Sequence, residues 1–167
     1  MKKLLLALLF CYALTAKAQT VTPTAAFSIG PELGIPTMSI YKVGFSLSGK
    51  VEIPLSDPLS LSLTGGYSSF GFKRTLIGSN ISQEAAKFAP VKAGVRYFAS
   101  SGFYIEGELG AAIGLNYEKD TLFAYSIGPG FLIPIGEKQN VDLGFRYEKW
   151  RNQLTQTSIR VAYRIGW

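Results

Sequence analysis

The closing segment of the chain, Gln156 to Gly166 followed by Trp167, alternates between two faces without a break. Thr157, Ile159, Val161, Tyr163, Ile165 and Trp167 share one side. Gln156, Ser158, Arg160, Ala162, Arg164 and Gly166 share the other. A repeat of two does not fit the 3.6-residue period of a helix. It specifies a strand with one apolar and one polar side. Such a strand needs a different environment on each face.

Seven earlier segments carry the same period, giving eight in all: Ala25–Ile35, Lys42–Ile53, Leu59–Phe70, Phe88–Phe98, Gly102–Leu115, Leu122–Ile133, Val141–Glu148 and Gln156–Trp167. Each has about the length of a tilted strand that crosses a bilayer. The apolar sides hold bulky residues: Val43, Phe45, Leu47, Val51 and Ile53 on the second, Ile105, Leu109 and Ile113 on the fifth. The opposite sides are small or charged, as in Ser60, Ser62, Thr64, Gly66 and Ser68 of the third. The links also alternate. Pro54–Pro58, Ala99–Ser101 and Pro134–Asn140 are tight and rich in turn formers. Pro36–Tyr41, Gly71–Lys87, Asn116–Thr121 and Lys149–Thr155 lie between them, Gly71–Lys87 being the longest. The expected fold is all-β: an eight-stranded antiparallel up-and-down transmembrane barrel.

Met1–Ala18 reads as a cleaved signal peptide. Lys2 and Lys3 precede the apolar run Leu4–Leu14, and Ala16-Lys17-Ala18 fits a cleavage site, so that residues 19–167 form the barrel domain. Cys11 follows the bulky Phe10 within the apolar run and is not read as a lipid-bearing cysteine. Losing Lys2, Lys3 and Lys17 lowers the formal net charge from +6 to +3 and also removes the single cysteine. What remains carries no disulfide and no basic run suited to nucleic acid.

Orientation is the deciding question, because a soluble periplasmic lipocalin-like carrier of a small apolar ligand would show the same alternation with its apolar side inward. Volume favours the membrane barrel. An eight-stranded lumen is only just filled by side chains, and several Leu, Ile, Phe and Tyr per strand overfill it. The polar side supplies Glu32, Glu52, Glu106, Glu108, Asp142 and Glu148 against Lys50, Lys92, Arg96, Arg146, Arg160 and Arg164. Six acids balance six bases, as an enclosed network requires. Aromatic belts are expected at both strand ends: Tyr97, Phe98, Phe103 and Trp167 at one, Tyr67, Phe70, Tyr117, Phe123, Tyr147 and Trp150 at the other.

Two features strain the strand assignment. Pro31, Pro90 and Pro129 fall inside strands, where each removes a ladder hydrogen bond. Ser28-Ile29-Gly30-Pro31 recurs as Ser126-Ile127-Gly128-Pro129, either by chance in a biased composition or as a shared bulge.

The chain resembles the small bacterial outer-membrane β-barrel proteins, similar to the OmpA/OmpX-type membrane domain. The resemblance rests on Met1–Ala18, Gly94-Val95-Arg96-Tyr97, Gly144-Phe145-Arg146-Tyr147 and Ser158–Trp167. That family usually ends in Phe, where this chain has Trp167. The resemblance implies a Gram-negative outer membrane. It also implies recognition of Tyr163, Ile165 and Trp167 in the last strand by the barrel-insertion machinery.

Catalysis is not expected. The chain has no histidine, which removes Ser-His-Asp and Cys-His chemistry and the common zinc sites. Glu106 and Glu108 imitate an acid pair but are read as salt-bridge partners, and Ser46 and Ser48 near Lys50 are the one conceivable nucleophile–base set. No cofactor is expected, and a filled eight-stranded lumen leaves no pore. Function is left to the loops, where Lys73, Arg74, Lys149 and Arg151 are candidate contacts for lipopolysaccharide phosphates.

Overall fold

The computed structural model describes residues 23–37, 40–73, 83–117, 119–151 and 153–167. The signal segment and Arg74 lie outside the described residues. Eight strands follow one another: β1 (Ala26–Pro36), β2 (Tyr41–Ser56), β3 (Leu59–Phe72), β4 (Ala86–Ser100), β5 (Phe103–Gly114), β6 (Thr121–Pro134), β7 (Gln139–Trp150) and β8 (Leu154–Gly166). Each pairs antiparallel with its sequence neighbour, and β1 also pairs with β8, so the sheet closes into a barrel. Closure gives every strand a neighbour on both sides, although β1 and β2 part beyond Gly34–Gly44.

Tight turns at Asp57-Pro58, Ser101-Gly102 and 135–138 share one end with both termini. The longer links, with 73–85 the longest, share the other. Several strands outrun the apolar alternation. β2 continues to Ser56 rather than Ile53, β4 starts at Ala86 rather than Phe88, and β7 extends to Gln139 and Trp150. Backbone pairing continues wherever a partner strand is present, whatever the side chains, as at Pro54–Ser60 and Asn140–Arg164.

Across the middle of every strand, even-numbered residues point into the barrel and odd-numbered ones point out. β1 alternates strictly from buried Ala26 through exposed Phe27 to buried Gly34. The outward set is apolar and open, with Phe45 69 % and Leu109 61 % exposed. Ile105 and Val161 are outward and exposed, and Leu61 and Leu143 are half-buried on the same outward parity. The inward-facing arrangement that a lipocalin-like carrier requires is therefore not the one the chain adopts.

Three expected belt aromatics face the other way. Phe70, Phe98 and Trp150 are buried inside the barrel, because each is even-numbered on its strand. Phe70 and Trp150 join Tyr41, Phe88, Ala86, Ala112, Ala124 and Leu154 in an apolar cluster at the loop end. There the Trp150 ring lies edge-on to Phe70 and Phe88, at centroid distances of 5.6 and 5.0 Å. Phe98, Tyr104 and Leu132 form a smaller cluster towards the turn end. The outward aromatics Tyr67, Tyr97, Tyr117, Phe123, Tyr147 and Trp167 are exposed, as alternation requires.

The strand prolines interrupt the ladder without shifting it. β1 and β8 pair at Ile29–Tyr163 and again at Glu32–Arg160, with equal spacing on both strands. β6 and β7 do the same around Pro129, from Ile127–Tyr147 to Gly130–Gly144. β3 and β4 do so around Pro90, from Gly65–Val91 to Ser68–Phe88. No extra residue is inserted, so the repeated Ser-Ile-Gly-Pro is not a bulge. It places a glycine where the neighbouring strand comes close. A Cβ on Gly30 would lie 2.1 Å from the Val161 carbonyl oxygen, and one on Gly128 would lie 2.0 Å from that of Phe145. The same close approach recurs at Gly94 and Gly110, where a Cβ would lie 2.2 and 2.1 Å from the carbonyl oxygens of Gly107 and Val91, so it does not depend on a following proline.

Gly128→Val should therefore force β6 and β7 apart and cost about 1–3 kcal/mol or more, as overpacking does. Gly65→Val, where a Cβ meets nothing within 4 Å, should be near neutral. Urea titration of the two refolded variants checks the pair, and equal losses would contradict this account.

Candidate functional site: the ionic interior and the loop rim

All twelve charged residues of the alternating polar faces point inward, and each takes part in an ion pair. The pairs join into one network. From β1, Glu32 meets Arg146 of β7 at 2.6 Å. Arg146 also reaches Glu148 at 3.3 Å, and Lys92 of β4 bridges Glu148 at 2.9 Å and Glu108 of β5 at 3.3 Å. Lys50 of β2 sits between Glu108, at 3.2 Å, and Glu106. Arg96 of β4 then gathers Glu106 at 3.3 Å, Glu52 at 2.8 Å and Asp142 at 3.2 Å. Arg164 closes on Glu52 at 2.9 Å and Arg160 on Asp142 at 3.5 Å.

β3 and β6 contribute no charge to this network but supply hydroxyls. Thr64 donates to one oxygen of Glu108 and Ser126 to the other, at 2.5 and 3.0 Å. Glu108 thus gains two neutral donors beside its cations, as buried charge demands. Two aromatic side chains lock the ends of the network. Trp150 donates its ring N–H to Glu148 at 2.8 Å. Tyr104 donates to Asp142 and lies under Arg96, whose guanidinium carbon is 3.7 Å from the ring centre. Neither role was read from the sequence, although both residues are even-numbered and hence on the inward parity.

Space inside is scarce. A cavity of about 20 Å³, lined by Lys50, Tyr104, Glu106, Glu108 and Arg146 among others, has room for about one water. Glu106, which lines it, has its Oε1 buried without a protein partner, so a water there has a group to bind. The carboxyls of Glu106 and Glu108 share Lys50 as a common cation. Ser48 accepts from Arg160 Nε at 2.8 Å and Ser46 donates to Ser68 at 2.8 Å, so the serines are not brought together with Lys50 as a nucleophile and its base.

The remaining candidates sit at the surface. Tyr163, Ile165 and Trp167 point outward and are exposed along the end of β8. Lys73, Lys149 and Arg151 stand at the loop end, with Lys149 and Arg151 exposed. At the same rim Lys87 pairs with Glu84.

Together these features define a small closed barrel with an apolar outer wall and an ionic interior. No protein-family model and no curated protein sequence matches the chain. Solved structures match its fold. Ail, the attachment invasion locus protein of Yersinia pestis, aligns over 87 % of this chain and 100 % of its own, at TM-score 0.61 and 17 % identity. Neisserial surface protein A (NspA) covers 86 % of this chain and 96 % of its own, at TM-score 0.54 and 12 % identity. A designed transmembrane β-barrel covers 88 % of this chain and 100 % of its own, at TM-score 0.54 and 15 % identity. The chain has the fold of the small transmembrane β-barrels.

Removing one member of the ionic network should be costly. Arg146→Leu leaves Glu32, Glu108 and Glu148 each short of a cation and should destabilise the barrel by about 3–5 kcal/mol. Adding Glu32→Leu should restore part of that loss, because a charge is removed together with its partner. Denaturant titration of both variants in detergent checks the order. A double variant weaker by the full sum of the single effects would contradict the pairing.

Proposed function

We propose that the protein is an integral outer-membrane β-barrel of a Gram-negative bacterium. Its lumen is sealed by the ionic network, it performs no catalysis, and its role is structural or one of surface interaction through its loops. One observation carries the reading: bulky apolar side chains cover the outside while the charges are enclosed and paired. In water that outer wall would be an aggregation surface; in hydrocarbon it is the expected partner of acyl tails. The outer-membrane neighbours Ail and NspA support the same placement. In this reading residues 1–18 are the export signal, and Tyr163, Ile165 and Trp167 present the last strand to the insertion machinery.

The loop end is read as the outer surface. Lys73, Arg74, Lys149 and Arg151 would meet the phosphates of lipopolysaccharide there. Ail has been solved in a phospholipid nanodisc and with the heparin analogue sucrose octasulfate, which supports lipid and polyanion contact as a class of interaction for this fold.

The two tryptophans test orientation directly, since Trp150 is 1 % and Trp167 63 % exposed. In lipid vesicles carrying brominated acyl chains, the Trp150→Phe protein, which retains Trp167, should be strongly quenched. The Trp167→Phe protein, which retains Trp150, should be quenched little. The reverse order, or a protein that stays soluble without detergent and runs identically on gels before and after boiling, would refute the membrane reading. For the loops, lipopolysaccharide should raise the melting temperature of the wild type more than that of Lys73→Ala/Arg74→Ala. An equal rise would remove those residues from the contact.

A further inference from the structure

At the loop end the two-face alternation breaks within β2. Tyr41 and Gly44 are both buried towards the lumen, yet the two residues between them, Lys42 and Val43, are both exposed. Pairing explains why. Tyr41 lies opposite Phe72 and Gly44 opposite Phe70, so β2 spends one residue more than β3 across this step. The extra residue is a β-bulge, a device that re-aims a side chain. Lys42 is even-numbered, and without the bulge it would follow Gly44, Ser46, Ser48 and Lys50 into the lumen. The bulge puts its ammonium outside.

The wall opens at the same height. β1 and β2 pair from Ala26–Glu52 only as far as Gly34–Gly44. Beyond that point β1 follows β8, reaching Pro36 opposite Gln156, while β2 follows β3 to Tyr41 opposite Phe72. The Lys73 backbone N–H donates to the Ile40 carbonyl at 2.9 Å and fixes the end of β3 against the start of β2. Between the parted strands lies a groove of about 490 Å³ lined by Ile35, Pro36, Tyr41, Lys42, Val43 and Lys73. That size suits a small-molecule site. Its chemistry is divided: Ile35 and Val43 present exposed apolar walls continuous with the outer belt, and two lysines supply positive charge.

We propose that this groove binds one anionic membrane lipid, with Lys42 and Lys73 holding its phosphate and Ile35, Pro36 and Val43 seating the first part of an acyl chain. The proposal rests on the membrane reading above and adds to it a built site with a defined occupant. A greasy wall beside two lysines that line the same groove matches a phosphate ester attached to an acyl chain, and a free anion would leave that wall in water. The bulge supplies the reason for the geometry. It takes a cation that the neutral lumen does not need and sets it where the apolar belt ends.

Native mass spectrometry of the full chain, released from phosphatidylcholine nanodiscs containing a minority of phosphatidic acid, tests this. The wild type should retain one phosphatidic acid. Lys42→Ala should lower its occupancy about tenfold, the loss expected for one charge-assisted contact. Lys119→Ala, which removes a charge at the same end away from the groove, should leave occupancy unchanged. Ile35→Ser/Val43→Ser should weaken lipid retention with both lysines intact. Equal losses in Lys42→Ala and Lys119→Ala, or displacement of the lipid by an equal concentration of inorganic phosphate, would overturn the proposal. A wild type that inserts and shows heat-modifiable migration but retains no phosphatidic acid would refute the groove alone. A wild type that fails to insert would refute the membrane reading beneath it.

Discussion

Backbone closure between β1 and β8 is the constraint on which the molecule depends. A strand without a partner would leave a row of donors and acceptors unpaired, and hydrocarbon cannot satisfy them. Once the ring is closed, each side chain must go either in or out. The small bore of eight strands then decides what can go in. Glycine, serine, alanine and extended ionic side chains fit the middle. Bulky aliphatic residues are left outside, where they need lipid. Interior chemistry and outer solubility are therefore two consequences of one closed hydrogen-bonded ring.

The interior that results is not built for strength alone. Buried ion pairs seldom outperform a well-packed apolar core, because desolvation offsets much of the attraction. Here a fully apolar interior is hard to reach, since a narrow bore takes few large groups. The network suits that space differently: long flexible Lys and Arg side chains cross the lumen and tie strands far apart in sequence, such as Glu32 to Arg146 and Lys50 to Glu106. Rings close off the ends where the charges stop. Trp150 and Tyr104 belong to both regimes, each presenting a ring to the apolar cluster and a hydrogen to a carboxylate. Among the described residues the network leaves a lumen cavity of about 20 Å³, while a larger groove lies at the outer rim.

At the rim, local irregularity carries the information. Pro31, Pro90 and Pro129, inside their strands, omit hydrogen bonds yet hold register, so the wall stays continuous there. The bulge at Lys42 and Val43 does the opposite. It keeps the chain paired to β3 while changing which way a lysine points, just where β1 leaves β2.

By itself the sequence determined the strands, their number and the two-faced character of each, because alternation is a local property that a strand expresses wherever it lies. Its spacing also put the twelve charges together on the small-residue side of their strands. The same parity holds for Phe70, Phe98 and Trp150, which are even-numbered like the inward charges, so their place in the lumen clusters was legible there and nearness to a strand end was the misleading cue. Which charges meet, which glycine a neighbouring carbonyl needs, and where a bulge turns Lys42 outward were decided by tertiary structure alone. These depend on the stagger between strands distant in sequence, and a repeat of two along one strand carries no record of the register of its neighbour.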